Sequence, residues 1–203
     1  MDASVLAALQ RWPNVPAVYG WLSLDARGTW RLHPLGDGLK GSPGESISSA
    51  QIIAFINRNY DHDERGNWFF QNGPQRVYVR LDAAPFILRR AGESDGFETH
   101  TGLPVKNVTQ WLLDDQGRLF ASTEHGAALT DSRELASILE SLRTPDGKAL
   151  IDLLEQPPTD AVSVAPADGS LPSAPLAHIA STQIPARMDF VACPANPGAD
   201  TQH

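Results

Sequence analysis

Three features of this 203-residue chain predict an α+β fold of two lobes, each an antiparallel sheet with a packed helix. A loop chemistry recurs: Asp25-Ala-Arg-Gly-Thr-Trp30 returns as Asp63-Glu-Arg-Gly-Asn-Trp68 and, more loosely, as Asp114-Asp-Gln-Gly-Arg-Leu119. In each, the Asp carboxylate can accept backbone N–H groups two residues on, and a Gly at the fourth place is free to take positive φ. That chemistry closes a hairpin through a type I turn and a bulge. Val77, Val79 and Leu81 alternate with Arg76, Tyr78 and Arg80, the period of a sheet with one buried face. Ile52, Ile53, Phe55, Ile56 and Tyr60 supply the broad apolar stripe of a helix lying across such a sheet.

In chain order, Val5, Leu6, Leu9 and Trp12 fall at helical spacing, and Pro13 ends that helix because it cannot continue the hydrogen-bond ladder. Residues 18–24 and 29–33 flank the first Asp-Gly turn as strands. A Gly- and Pro-punctuated loop over 34–46 leads to the helix with the apolar stripe, capped by Ser48 or Ser49. Residues 67–71, 75–82 and 85–89 read as successive strands, with a short edge strand at 97–101. A second hairpin, 108–113 with 118–122, precedes a helix from Asp131 or Ser132 to Leu142 and a short helix from Lys148 to Glu155, ended by Pro157 and Pro158.

The order hairpin then helix has thus occurred twice, which is compatible with an internal structural repeat, although Trp21–Gly28 and Trp111–Gly117 differ by one residue of register. The expected division is an N-terminal lobe at 1–103, a hairpin-helix lobe at 104–156 and an extended Pro/Ala/Ser-rich segment at 157–203, partly packed on the second lobe as a strand. Half of the 16 prolines lie in that last segment, which argues against further packed helices there.

A net charge of −8 opposes nonspecific attraction to nucleic acid or anionic lipid, since polyanions are held chiefly by Lys and Arg. One cysteine, Cys193, permits no internal disulfide and suits a reduced compartment. Residues 1–12 lack a basic leader, and no stretch reaches the roughly twenty apolar residues of a membrane helix. A cytoplasmic protein without nucleic-acid or membrane partners is expected.

The sequence carries no recognisable pattern of catalytic chemistry. Asp61, Asp63 and Gly66 mimic a calcium loop, but Arg65 stands where an oxygen ligand belongs and Asn72 where a bidentate Glu should be, so a polar turn is the better reading. The histidines show no zinc-ligand spacing, and no phosphate cradle or nucleophile elbow occurs. No catalytic residue, cofactor or metal is therefore assigned. What remains is a concentration of aromatic and Arg residues, types that dominate recognition surfaces, in the first lobe. Because Trp68, Phe69 and Phe70 cannot all face inward from one side of a strand, at least one ring is expected to meet the helix edge, the other lobe or a partner. The expected site is Trp68, Phe70, Arg76, Tyr78 and Arg80, near the lobe junction, binding a protein partner or a small anionic ligand that Arg76 and Arg80 could grip. The rival is a hydrolase-type enzyme using His100 or His125 with Glu124 in an interlobe cleft.

At Trp12-Pro-Asn-Val-Pro16, Tyr19-Gly-Trp-Leu22, Phe55-Ile-Asn-Arg-Asn-Tyr60 and Asp63-Glu-Arg-Gly-Asn-Trp-Phe-Phe-Gln-Asn-Gly-Pro-Gln-Arg-Val77, the chain resembles an uncharacterised family of proteobacterial proteins, a domain of unknown function. More distantly it is similar to a second uncharacterised bacterial family, built from repeated α+β motifs and suggested to take part in signalling. The resemblance implies a bacterial protein with a signalling role and brings no catalytic residues with it.

Overall fold

A computed structural model describes residues 1–92, 96–155 and 162–195. They form two compact units: Met1–Pro85 with the stretch from Asp189, and Phe86–Met188. Each is built on a mixed sheet, so the α+β class holds, while the expectation of purely antiparallel sheets does not.

Unit 1 contains α1 (Ala3–Arg11), β1 (Val18–Leu24), β2 (Trp30–Leu32), β3 (Glu45–Ser46), α2 (Ala50–Arg58), β4 (Tyr60–His62), β5 (Trp68–Asn72) and β6 (Gln75–Leu81). The strand order is β3-β2-β1-β6-β5-β4. Two antiparallel meanders are joined by α2, and the last strand of the second, β6, lies parallel to the first strand, β1. A crossover that contains a helix is what makes a parallel neighbour possible. Ser49 caps α2 by accepting from the Ile52 N–H at 3.4 Å. The helix covers the sheet face carrying Leu24, Trp30, Val79 and Trp68, and Asn57 accepts from the Trp30 indole at 2.8 Å.

Unit 2 contains β7 (Phe86–Arg90), β8 (Phe97–Thr99), β9 (Pro104–Val105), β10 (Val108–Asp114), β11 (Leu119–Thr123), β12 (Gly126–Thr130), α3 (Leu135–Ser141), β13 (Leu142–Arg143), α4 (Leu150–Glu155), β14 (Val162–Pro166), β15 (Ala174–Ile179) and α5 (Ile184–Arg187). Its order is β13-β14-β15-β10-β11-β12-β7-β8-β9. Leaving aside β7–β9, this is the connectivity of unit 1: a meander, a helix, and a second meander whose last strand, β15, runs parallel to the first, β10.

The turns match as expected from their chemistry. The Asp25, Asp63 and Asp114 carboxylates each accept backbone N–H groups two and four residues on, at 2.8–3.0 Å. Gly28, Gly66 and Gly117 all take positive φ, between 73° and 78°. A fourth turn of the same form, Thr144 to Lys148 with Gly147 at φ 85°, occupies the place in unit 2 that Asp63–Asn67 holds in unit 1.

Three boundaries differ from expectation. The first lobe ends at Pro85, not at 103, because the buried run Phe86-Ile-Leu88 pairs with β12 and makes β7 part of the second sheet. The Pro-rich segment packs in part on the second sheet as strand, as expected, but it is divided between the two units. Within 162–188 it supplies β14 and β15 to the second sheet, whereas Val191 and Ala192 bond to Gly66 and Leu81 of unit 1. Residues 156–161, with the two prolines expected to end α4, lie outside the described residues. Finally, α3 starts at Leu135: the buried Asp131 carboxylate accepts the Arg133 N–H in a turn ahead of the helix and pairs with the Arg89 and Arg133 guanidiniums.

Candidate functional site

Register decides which side chains share a face. The two-residue hairpin at Gly73-Pro74 pairs Asn72 with Gln75, hence Phe70 with Val77 and Phe69 with Tyr78. Trp68 and Phe70 therefore fall on the α2 side with Val77 and Val79, and Phe69 falls on the opposite side with Arg76, Tyr78 and Arg80. The five residues expected to act together are divided between two faces.

Nor is any of the three consecutive rings displayed. Trp68, Phe69 and Phe70 are only 5%, 3% and 9% exposed, each ring being covered by neighbouring side chains. Trp68 packs against Tyr60 and His62, Phe70 meets Phe55 edge-on, and Phe69 lies under the Arg76 guanidinium, 3.9 Å from ring centroid to Cζ.

Arg80 is committed as well. Its guanidinium donates to the carbonyls of Gly38 and Ser42 and pairs with Asp82 at 2.9 Å, which ties the 34–44 loop to the sheet. Under that loop His33 is fully buried and its Nε2 lies 2.9 Å from the Ser23 hydroxyl. Gly38 and Gly44 pack on the imidazole so closely that a Cβ at Gly44 would stand 2.7 Å from it.

Arg76 and Tyr78 remain, and they line a concavity of about 720 Å³ with Tyr19, His62, Asp63 and Arg65. The Tyr19 and Tyr78 rings stack at 4.6 Å and 12°. The Tyr78 hydroxyl donates to Asp63 at 3.0 Å. Burial alone would raise the Asp63 carboxyl, but N–H groups of Asn67, the Tyr78 hydroxyl and the Arg65 N–H outweigh it and hold the group ionised below its ordinary range. Burial first, then Tyr78 and the Asp63 charge, push the Tyr19 phenol above its ordinary value, so it stays a protonated donor. Among the described residues Arg76 makes no ion pair with a carboxylate; its positive charge is held in place by the Phe69 face. The concavity thus offers the Arg76 and Arg65 guanidiniums, a flat aromatic wall and a neutral phenol, with the carboxylates of Asp63 and Glu64 beside them.

Tyr19 and Asp63 lie outside the five residues expected at the site, and Asp63 stands out in the sequence only as a turn residue. The signal for Tyr19 lies in strand β1, which pairs with β6 and sets Tyr19 against Tyr78; no local pattern announces a parallel pairing. In unit 2, His100 and His125 both pack near Phe86, but the Nδ1 of His100 accepts the Ile87 N–H and the Nε2 of His125 sits 2.9 Å from the Pro104 carbonyl. Glu124 accepts the Lys106 and Asn107 N–H groups, so this trio is engaged with backbone.

Residues 1–195 match the model of a family, DUF2944, described as a protein of unknown function (DUF2946). The chain belongs to that family. No curated protein matches this family member. Two solved structures, both of DUF1285 family proteins, are similar to this chain. One, from Silicibacter pomeroyi DSS-3, is 16% identical with a TM-score of 0.47 over 77% of this chain and 100% of that one. The other, from Shewanella baltica OS155, is 17% identical with a TM-score of 0.41 over 58% of this chain and 89% of that one. Among the described residues no helix is long and apolar enough to cross a membrane.

Proposed function

We propose that this protein is a ligand-binding module, with a signalling role in the bacterial cell, whose unit 1 takes a small, flat anionic molecule against Tyr19, Arg76 and Tyr78. The observation that carries the reading is the Arg76 guanidinium, fixed over Phe69 at 3.9 Å without a carboxylate partner among the described residues, at the wall of a concavity. A preorganised guanidinium loses little freedom on gripping a carboxylate or phosphate, and a tyrosine face accepts a planar group by stacking. Asp63 does not compete with the ligand for Arg76, because its oxygens accept from the turn N–H groups, from the Asn67 amide and from the Tyr78 hydroxyl.

We also infer that the two sheets are an internal structural repeat; their shared connectivity and equivalent turns support it.

The test is a thermal-shift screen of aromatic carboxylates and phosphate esters, followed by calorimetry on Arg76→Met and Tyr78→Phe. Binding should fall at least tenfold in Arg76→Met, by the loss of one charge-assisted bond. A library without hits, or hits that bind Arg76→Met equally well, would overturn the reading.

A further inference from the structure

On the other face of the same sheet, α2 leaves one end uncovered, and a cavity of about 580 Å³ opens there. Its floor is Leu22, Ile56, Phe70 and Val77, all buried; its rim is Trp21, Leu32 and Ile52, which are 44%, 42% and 51% exposed. A buried floor under an exposed rim is a concavity rather than a flat apolar face. The lining contains no charged side chain, and its polar side chains are two amides, Asn72 and Gln75.

The backbone is bent to make this wall. Adjacent residues of a regular strand point to opposite faces, yet Trp21 and Leu22 line one cavity. The β1–β6 register shifts between Val18 and Leu22, and Gly20 takes φ 77° there, so a bulge re-aims the indole. Gly36 then lets the 34–44 loop lie on that ring, since a Cβ at Gly36 would stand 3.3 Å from it. Trp21 is held as a wall, not left as a loose surface ring.

We infer that this cavity is a second binding site, for an uncharged aliphatic small molecule whose polar end is read by the amides of Asn72 and Gln75. The volume lies within the roughly 300–1,000 Å³ of small-molecule pockets. An ionised head would lose hydration there with no opposite charge to meet it. The reading is independent of the Arg76 pocket, which lies across the sheet.

The test titrates the full-length protein with 1-decanol and with a series of shorter and longer n-alkanols, followed by tryptophan fluorescence and calorimetry. Binding should saturate at one equivalent, and affinity should rise about fourfold per methylene until the cavity is full, then level off. Decanoate at neutral pH should bind at least tenfold more weakly than decanol. Ile52→Asp, at an exposed position where folding is preserved, should weaken decanol at least tenfold, and Val77→Phe should shorten the optimal chain. Non-saturating uptake, equal affinity for decanoate, or unaltered binding by both variants would overturn the inference. So would a protein dimer in sedimentation that Ile52→Asp dissociates while decanol has no effect, because the rim would then seat a second copy of the chain.

Discussion

The two sheets share a connectivity and a turn chemistry but are loaded differently. Asp25 and Asp114 close equivalent hairpins with the same pair of N–H bonds, yet the strand before Asp25 carries Ser23 bonded to His33, while the strand before Asp114 carries the wholly apolar run Trp111-Leu-Leu113. Unit 1 holds the buried Ser23–His33 pair and the two concavities. Unit 2 lengthens its sheet with β7–β9 and buries aliphatic and aromatic side chains on both faces. The turns therefore fix the frame, and the strand interiors decide whether a frame becomes core or site. This division is expected physically, because turn residues act through local backbone bonds whereas cavities depend on which residues meet across strands.

The largest effects should come from the equivalent first residues of the two return strands, Trp30 and Leu119, both buried. Trp30→Ala should cost about 3–5 kcal/mol and Leu119→Ala about 2–5 kcal/mol, measured by urea unfolding. If the repeat is real, both should behave as core positions of their own unit; an indifferent Leu119→Ala would break the equivalence.

The turn glycines sharpen the comparison. At Gly117 an added Cβ meets nothing within 4 Å, so Gly117→Ala should cost only the roughly 1–2 kcal/mol of a left-handed alanine. At Gly66 the same Cβ would stand 2.8 Å from the Asp189 carbonyl oxygen. Gly66→Ala should therefore cost more than Gly117→Ala, and should loosen the docking of Val191 and Ala192, read as faster amide exchange at Val191 and Leu81.

A pH difference should also separate the units. Burial, then the Arg80 charge, push His33 below its ordinary value against the weaker pull of Asp37 and Asp82, and Arg31 adds to the depression. The unfolded chain then takes up a proton near pH 6.5 that folded His33 refuses. Stability from this group is fully present above about pH 6.5 and is lost as pH falls below it. Wild type should show this slope in its urea midpoint between pH 7 and 5, and His33→Gln should flatten it. A slope unchanged in His33→Gln would assign the effect elsewhere.

Much of the frame was legible because its signals are local. The three Asp-Gly turns, the alternation Val77/Val79/Leu81 and the α2 stripe each declare themselves within a dozen residues. What misled was pairing at a distance. Nothing near Phe86 says that its strand joins β12, and nothing near Tyr19 says that β1 lies parallel to β6, so the boundary at 103 and the antiparallel sheets were the natural but wrong expectation. The candidate site was half legible for the same reason. Arg76 and Tyr78 follow from alternation, but separating them from Trp68 and Phe70 needs the register that the Gly73-Pro74 hairpin sets, a signal present in the sequence. Arg80 is a different case, since its occupation by the Gly38 and Ser42 carbonyls depends on where a long loop lands.

The smallest effect concerns how the two crossover helices begin. In α2 the Ser49 hydroxyl accepts the Ile52 N–H at 3.4 Å, a long bond, whereas α3 has no side-chain cap at Glu134. Ser49→Ala should cost about 0.5 kcal/mol, the lower end of the range for lost caps, because a long bond satisfies its N–H poorly. Ser49→Asp should recover or exceed wild type, since a carboxylate at a helix N-terminus adds a favourable charge to the cap. Both are measurable as shifts in urea midpoint at constant m-value. A loss above about 2 kcal/mol for Ser49→Ala would mean that the start of α2, and so the mouth of the apolar cavity beside it, is held by this one residue rather than by the packing of Ile56 and Trp30.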